Sequence, residues 1–261
     1  IGESAGTYAL SEILSNPEAV QSGHYFSLIC IFIVLTAFTK SAQFPFHFWL
    51  PGAMQAPTPV STYLHSATML KAGVYILFRF SPFFEGTELW HTLLILFGAI
   101  TMIYSAYHII FRIDLKSILA YSTIAALGIL VFLIGLGTKT AITAAAVFIV
   151  VHALYKASLF LMAGIIDHET GTRDITKLSG LRHKMMPLLI IGIIAAAVSG
   201  GIPPTLGFIG KELIYESTFH FADSAIFLTL LAVFTKILLF YAGFVVGVKP
   251  FMGNLPENLS K

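Results

Sequence analysis

Charge is scarce in this chain: 11% of its 261 residues are charged, against roughly 25% in a typical soluble domain. There is one cysteine, Cys30. A lone thiol excludes a disulfide framework and any cysteine-ligated iron–sulfur cluster held by this chain alone, and its place inside an apolar run assigns it to packing. No glycine-rich phosphate loop and no dinucleotide-binding fingerprint occurs, so neither ATP hydrolysis nor nicotinamide chemistry is housed here. The net charge is only +2, with the basic residues at the ends of apolar runs, so no nucleic-acid partner is expected. Asp167, His168, Glu169 and Asp174 in DHETGTRD match no zinc or calcium spacing and read as a solvated loop. Neither a metal site nor a cofactor is expected.

What is abundant is hydrocarbon. Hydrophobic residues make up 57% of the chain and the mean hydropathy is +0.86. A helix needs about 20 apolar residues to cross a bilayer, and seven stretches approach that: Tyr25 to Ser41, Val60 to Phe80, Trp90 to Phe111, Leu115 to Leu136, Ala141 to Ile166, Pro187 to Ser217 and Ala225 to Val248. The expected fold is an all-α, multi-pass transmembrane helix bundle in the cell membrane. Its expected parts are an extracytoplasmic segment (1–24), a partial membrane domain of about seven helices (25–248) and a polar tail (249–261).

The first and sixth stretches carry their own interruptions. After Lys40, the sequence FTKSAQFPFHFWLPGAMQAPTPVST places Pro45, Pro51, Pro57 and Pro59 where an apolar helix would otherwise continue. In SGGIPPTLGFIGKELIYES, Gly200, Gly201, Pro203, Pro204, Gly207 and Gly210 break the sixth, with Lys211 and Glu212 just beyond. Non-helical backbone at membrane depth persists only where protein or a water-filled cavity satisfies it. Two such breaks, each beside a lysine, predict internal repeats of opposite topology. Small residues at packing spacing, such as Ala153 with Ala157 and Ala195 with Ser199, read as close helix contacts.

Loop charge sets an expected orientation. Arg112, Arg173, Lys177, Arg182, Lys184 and Lys249 fall on one side if the helices alternate, and that side is expected to be cytoplasmic. Glu3, Glu12, Glu18, Glu85, Glu88 and Asp223 fall on the other, with Lys139 against the trend.

Lys40, Lys71, Lys156, Lys211 and Lys236 lie within apolar helices or beside their breaks. Each lysine at a helix centre costs about 2.5–3.5 kcal/mol on insertion, so four together cost on the order of 10 kcal/mol, too much to be incidental. A lysine held away from water exchanges its proton near neutral pH, and a water-bridged row of such groups is a proton relay. Lys40, in the last turn of its helix, is also placed to snorkel to the interface. Lys71 is too central for that. Lys116 begins its helix in RIDLKSILAYST and is readable either as a relay group or as an ordinary interfacial cation, with Asp114 as a carboxylate at the helix N-terminus. His152 and Lys156 in VVHALYKASLFL are four apart and share one face, about 6 Å apart at Cβ. His65 and Lys71, six apart on one continuous helix, are separated by roughly 120° and are not expected to couple. Lys211 and Glu212 are adjacent and point in different directions. Lys236 in LAVFTKILLFYAGF is open to three readings: a relay member, a site pairing with another subunit, or a lipid-facing snorkeler. The row thus comprises Lys40, Lys71, Lys116, His152, Lys156 and Lys211, with His65, Lys236 and Glu212 as secondary candidates. Phe44, Phe46, Phe48 and Trp49 read as packing and interface anchors.

KSAQFPFHFWLPGAMQAPTPVSTYLHSATM, DLKSILAYSTIAALG, HALYKASLFL and GFIGKELIYES, in this order between about Ser22 and Gly247, resemble the proton-translocating antiporter-like family. That family comprises the large membrane subunits of respiratory complex I and of Mrp-type sodium/proton antiporters. The resemblance implies that Lys40 is the lysine of the first broken helix and Lys71 the central lysine of the next. It equally implies that Lys116 is the DIK-type lysine, His152 and Lys156 the HxxxK pair, and Lys211 the charged group after the second break. It also implies a glutamate on an earlier helix that modulates Lys40, expected upstream of Ile1, and so a chain that is a piece of a longer subunit. The loop DHETGTRDITKLSGLRHKM, with lysine at both 71 and 236, looks like the A subunit of Mrp-type antiporters. The implied role is a secondary-transporter subunit, not an enzyme, moving protons and sodium ions together with other subunits in the lipid bilayer. The alternatives are a proton-pumping subunit of a redox-driven NADH:quinone oxidoreductase and, against the lysine cost, a structural scaffold.

Overall fold

The computed structural model describes residues 1–15, 17–66, 68–221 and 225–255. Asp223 and residues 256–261 of the expected polar tail lie outside them. Three short helices, α1 (Gly2–Ala5), α2 (Leu10–Ser15) and α3 (Pro17–Gln21), precede α4 (Phe26–Lys40). After Lys40 the chain turns through residues 41–45. It resumes as the 3-10 turn Phe46–Phe48, α5 (Trp49–Gly52) and the 3-10 turn Ala53–Gln55. Then follow α6 (Thr58–Ser66), α7 (Met69–Phe84), α8 (Glu88–Ile109), α9 (Leu115–Leu136), α10 (Lys139–Thr170), α11 (Met186–Gly200), α12 (Leu206–Phe219) and α13 (Ala225–Gly247). Among the described residues there are no strands, and four helices are long and apolar enough to cross a membrane: α8, α9, α10 and α13 with its 3-10 extension.

The sequence explains which helix is central. The α9 segment LKSILAYSTIAALGILVFLIGL carries Ala120, Ala125, Ala126, Gly128 and Gly135, and small residues let neighbouring membrane helices approach closely. Apart from Ser117, every residue from Leu115 to Leu136 is buried. The Asp114 carboxylate accepts from the Ser117 N–H at 2.8 Å and caps the start, and Gly137 in the left-handed region (φ 68°) closes the end. Helices α7, α8, α10 and α13 pack around α9. The closest approaches need glycine: a Cβ at Gly98 would stand 2.6 Å from the Phe132 N, and one at Gly128 2.6 Å from the Met102 N. Tightness thus comes from glycine pairs, of which Gly192 and Gly247 form a second between α11 and α13.

Both expected breaks are present, and a third interruption appears. The stretch expected as one helix from Val60 to Phe80 is two, α6 and α7, and no proline or glycine stands at the junction to announce it. The Thr68 hydroxyl donates to the Tyr63 carbonyl at 3.0 Å there, taking over a carbonyl near the end of α6.

The two ends of the bundle differ in charge. At one, the 110–114 and 171–175 loops pair through Leu115 N to Arg173 O (3.0 Å) and Ile175 N to Ile113 O (2.9 Å). The 179–183 turn joins the segment after α13 through Gly180 N to Met252 O (2.8 Å). Arg112, Arg173, Lys177, Arg182, Lys184 and Lys249 gather there. At the other end Glu85, His91, Gly137 and Lys139 line one cleft, and the Gln21 amide ties α3 to the end of α7 through the Phe83 carbonyl (2.9 Å).

Candidate functional site

The interior holds a row of basic side chains. Lys156 is 1% exposed and His152, one turn earlier on α10, is 0% exposed. The Lys156 ammonium donates to the Leu119 carbonyl of α9 at 3.1 Å and makes a short hydrogen bond to the Ser122 hydroxyl. Ser122 and Thr123 both turn their hydroxyls back on Leu119 O, at 3.0 and 2.8 Å. One carbonyl in the central helix thus gathers three donors and anchors the buried cation.

Lys71 and His65 complete the middle of the row. Both are buried, the Lys71 Nζ and both ring nitrogens of His65 and of His152 lack a hydrogen-bond partner among the described residues, and so does the Tyr155 hydroxyl. Buried polar atoms are almost always satisfied, by ordered water where protein offers nothing. These unpartnered atoms come from three helices, α6, α7 and α10. The expectation that His65 and Lys71 do not couple is corrected. It assumed one continuous helix, whereas the junction between α6 and α7 resets the angle, and Lys71 and Lys156 both lie within electrostatic reach of His65. His152 is reached by Lys71, Lys156, His65 and Lys236.

Lys116 closes the row toward the charged end. It is 3% exposed, lies 3.8 Å from the Asp167 carboxylate and donates to the Ala56 carbonyl at 3.4 Å. Arg173 continues the network, 3.1 Å from Asp114, 4.0 Å from Asp167 and bonded to the Met54 carbonyl at 3.3 Å. Asp114, Asp167, Thr172, Arg173 and Asp174 line an open groove of about 490 Å³. The hydroxyl and N–H of Thr176 hold the half-buried Asp174 carboxyl below its ordinary range. DHETGTRD is therefore not simply a solvated loop, because Asp167 belongs to the last turns of α10 and pairs inward. It lies eleven residues, three full turns or about 16 Å, beyond Lys156 on the same helix face. That spacing was the available signal.

The remaining candidates divide. Lys236 is 4% exposed, bonded to the Ser199 carbonyl at 3.1 Å, with its Nζ 5.1 Å from the Phe148 ring centroid, so the lipid-facing reading is corrected. Lys211 on α12 pairs with Glu212 at 3.3 Å despite their adjacency, with Lys211 half-buried and Glu212 exposed. Lys40 ends α4 on the exposed surface and is not brought into the buried row. Of the aromatics at the first break, Phe44 packs on His47 and Tyr104 while Phe48 stands 74% exposed.

The family profile described as NADH:quinone oxidoreductase/Mrp antiporter, TM matches residues 2–239. The chain belongs to that family. Among curated members of this antiporter family, an Alkalihalophilus pseudofirmus protein described as the A subunit of a Na(+)/H(+) antiporter is 41% identical over 97% of this chain and 34% of its own length. A Rhizobium meliloti protein described as the probable A/B subunit of a K(+)/H(+) antiporter is 50% identical over 82% of this chain and 22% of its own. A chain in the structure of the Mrp complex from Dietzia sp. superposes with a TM-score of 0.88 at 44% identity, over 95% of this chain and 28% of that one. The chain thus spans about a third or less of these antiporter-family relatives. They support a membrane-embedded helical bundle as the fold.

Proposed function

We propose that this chain is the proton-conducting part of a multi-subunit cation/proton antiporter of the Mrp type, seated in the cell membrane with residues 1–24 on the extracytoplasmic side. The observation that carries the reading is the buried row of Lys71, His65, His152, Lys156 and Lys116, running from the bundle centre to the charged end with its polar atoms largely unpartnered. Lys116 opens the row to the cytoplasm beside Asp167, and Lys211 stands on the exit side beyond the second break. Lys40, on the exposed surface, gates the input side. Relatives described as parts of Na(+)/H(+) and K(+)/H(+) antiporters favour this over the redox-driven alternative. They also leave sodium and potassium as the two cations to test.

The test is cation-dependent proton flux in everted vesicles carrying the parent complex, with sodium and potassium compared. Flux linked to either cation is the expected result. Proton pumping that instead requires a reduced nicotinamide, without cation-linked flux, would place the chain in a redox pump.

A further inference from the structure

The second break leaves a carbonyl without its helical partner. Ser199 O, in the last turn of α11, would ordinarily accept from the N–H four residues on, but that residue is Pro203, which has none. The Gly201 and Ile202 N–H groups go to Val198 and Ala197 instead. The atom that reaches Ser199 O is the ammonium of Lys236, from the middle of α13, at 3.1 Å. A lysine is the costliest way to satisfy one carbonyl in a membrane interior, since a threonine or glutamine supplies a donor without a charge.

The surroundings of Lys236 explain why a titratable donor stands there. Among the described residues no carboxylate pairs with it, and its ammonium lies over the face of Phe148. It lies within electrostatic reach of both His152 and Lys211. His152 lies on α10 and Lys211 on α12, and these two helices pack against each other and against α13.

We propose that Lys236 carries the transported proton between His152 and Lys211, with Ser199 O holding its amine at the mouth of the second break. This rests on the antiport reading of the row. Each step moves one proton from a protonated donor to a neutral acceptor, so that Lys236 alternates between ammonium and amine and returns to its starting state once the proton reaches Lys211.

Two variants separate a carrier from a cap. Lys236→Gln keeps a donor for Ser199 O but binds no proton, and Lys236→Arg keeps both donor and charge but does not release its proton in the working range. Both are made in the parent complex, with co-purification of its subunits and cation-linked proton flux measured together. The expected result is normal assembly with flux reduced at least about tenfold in each, and partial recovery with the titratable Lys236→His. Flux within twofold of the unaltered complex in the Gln or the Arg variant would make Lys236 a cap alone, as would failure of the Gln variant to assemble. If the unaltered complex itself shows no cation-linked flux, it is the antiport reading that fails.

Discussion

Lys156→Met is expected to abolish cation-linked proton flux by about 100-fold or more, the scale for removing a positioned proton-transfer group, while the complex assembles normally. The two effects separate because the cost of burying the lysine and the gain from its hydrogen bonds largely offset each other in the fold. Its charge at helix centre costs about 3 kcal/mol on insertion, offset by charge-assisted hydrogen bonds to Leu119 O and Ser122 Oγ that contribute about 1.5–3 kcal/mol each. Methionine has nearly the same length and fills the same slot between α9 and α10 without the charge. The Ser122 hydroxyl keeps its bond to Leu119 O, so no buried donor is orphaned. Thermal stability of the detergent-extracted complex is therefore expected to change little. A variant that retains flux would show that the proton bypasses Lys156. Loss of assembly together with flux would make the residue structural.

The elements that could be read from the sequence are those where composition alone decides. The apolar windows became helices because a helix satisfies its own backbone in hydrocarbon, and the small residues along α9 let its neighbours close around it. The breaks after Lys40 and Gly200 were legible because proline removes a donor and blocks the helix. The junction between Ser66 and Met69 was not, since neither proline nor glycine stands there. The side-chain bond from Thr68 to Tyr63 O that marks it forms only in the folded chain. Missing it inverted the reading of His65 and Lys71, an error of helix phase and not of residue chemistry. Asp167 was hidden differently, within a polar run whose composition suggests solvent, although its phase with Lys156 places it on the inward face. Lys236 was identifiable as buried charge, but only its placement beside an orphaned carbonyl distinguishes it from a snorkeling residue.

Gly247→Leu is the substitution expected to destroy assembly and flux together. Gly192 on α11 and Gly247 on α13 meet backbone to backbone, and a Cβ on Gly247 would stand 2.6 Å from the Gly192 carbonyl oxygen. Overpacking a core ordinarily costs about 1–3 kcal/mol because side chains move aside. Here the obstacle is main chain, so the two helices must separate, and the expected cost is at or above the top of that range, roughly 3 kcal/mol or more. Separation is not confined to the contact. The same pair of helices carries the Ser199 O to Lys236 bond and, through Ser199 Oγ, a second bond to Leu239 O at 3.0 Å. Opening α11 from α13 therefore breaks the one direct link between the second break and the buried lysine. Gly247→Ala should produce a smaller version of the same loss, and the sequence Gly, Ala, Leu should lower the yield of co-purified complex and its melting temperature in that order. Unchanged melting in the Leu variant would show that the glycine contact does not hold these helices together. Lys156→Met and Gly247→Leu thus separate transport from assembly, since the first removes a side chain whose cost and bonds offset each other in the fold and the second fills the space through which α11 and α13 meet.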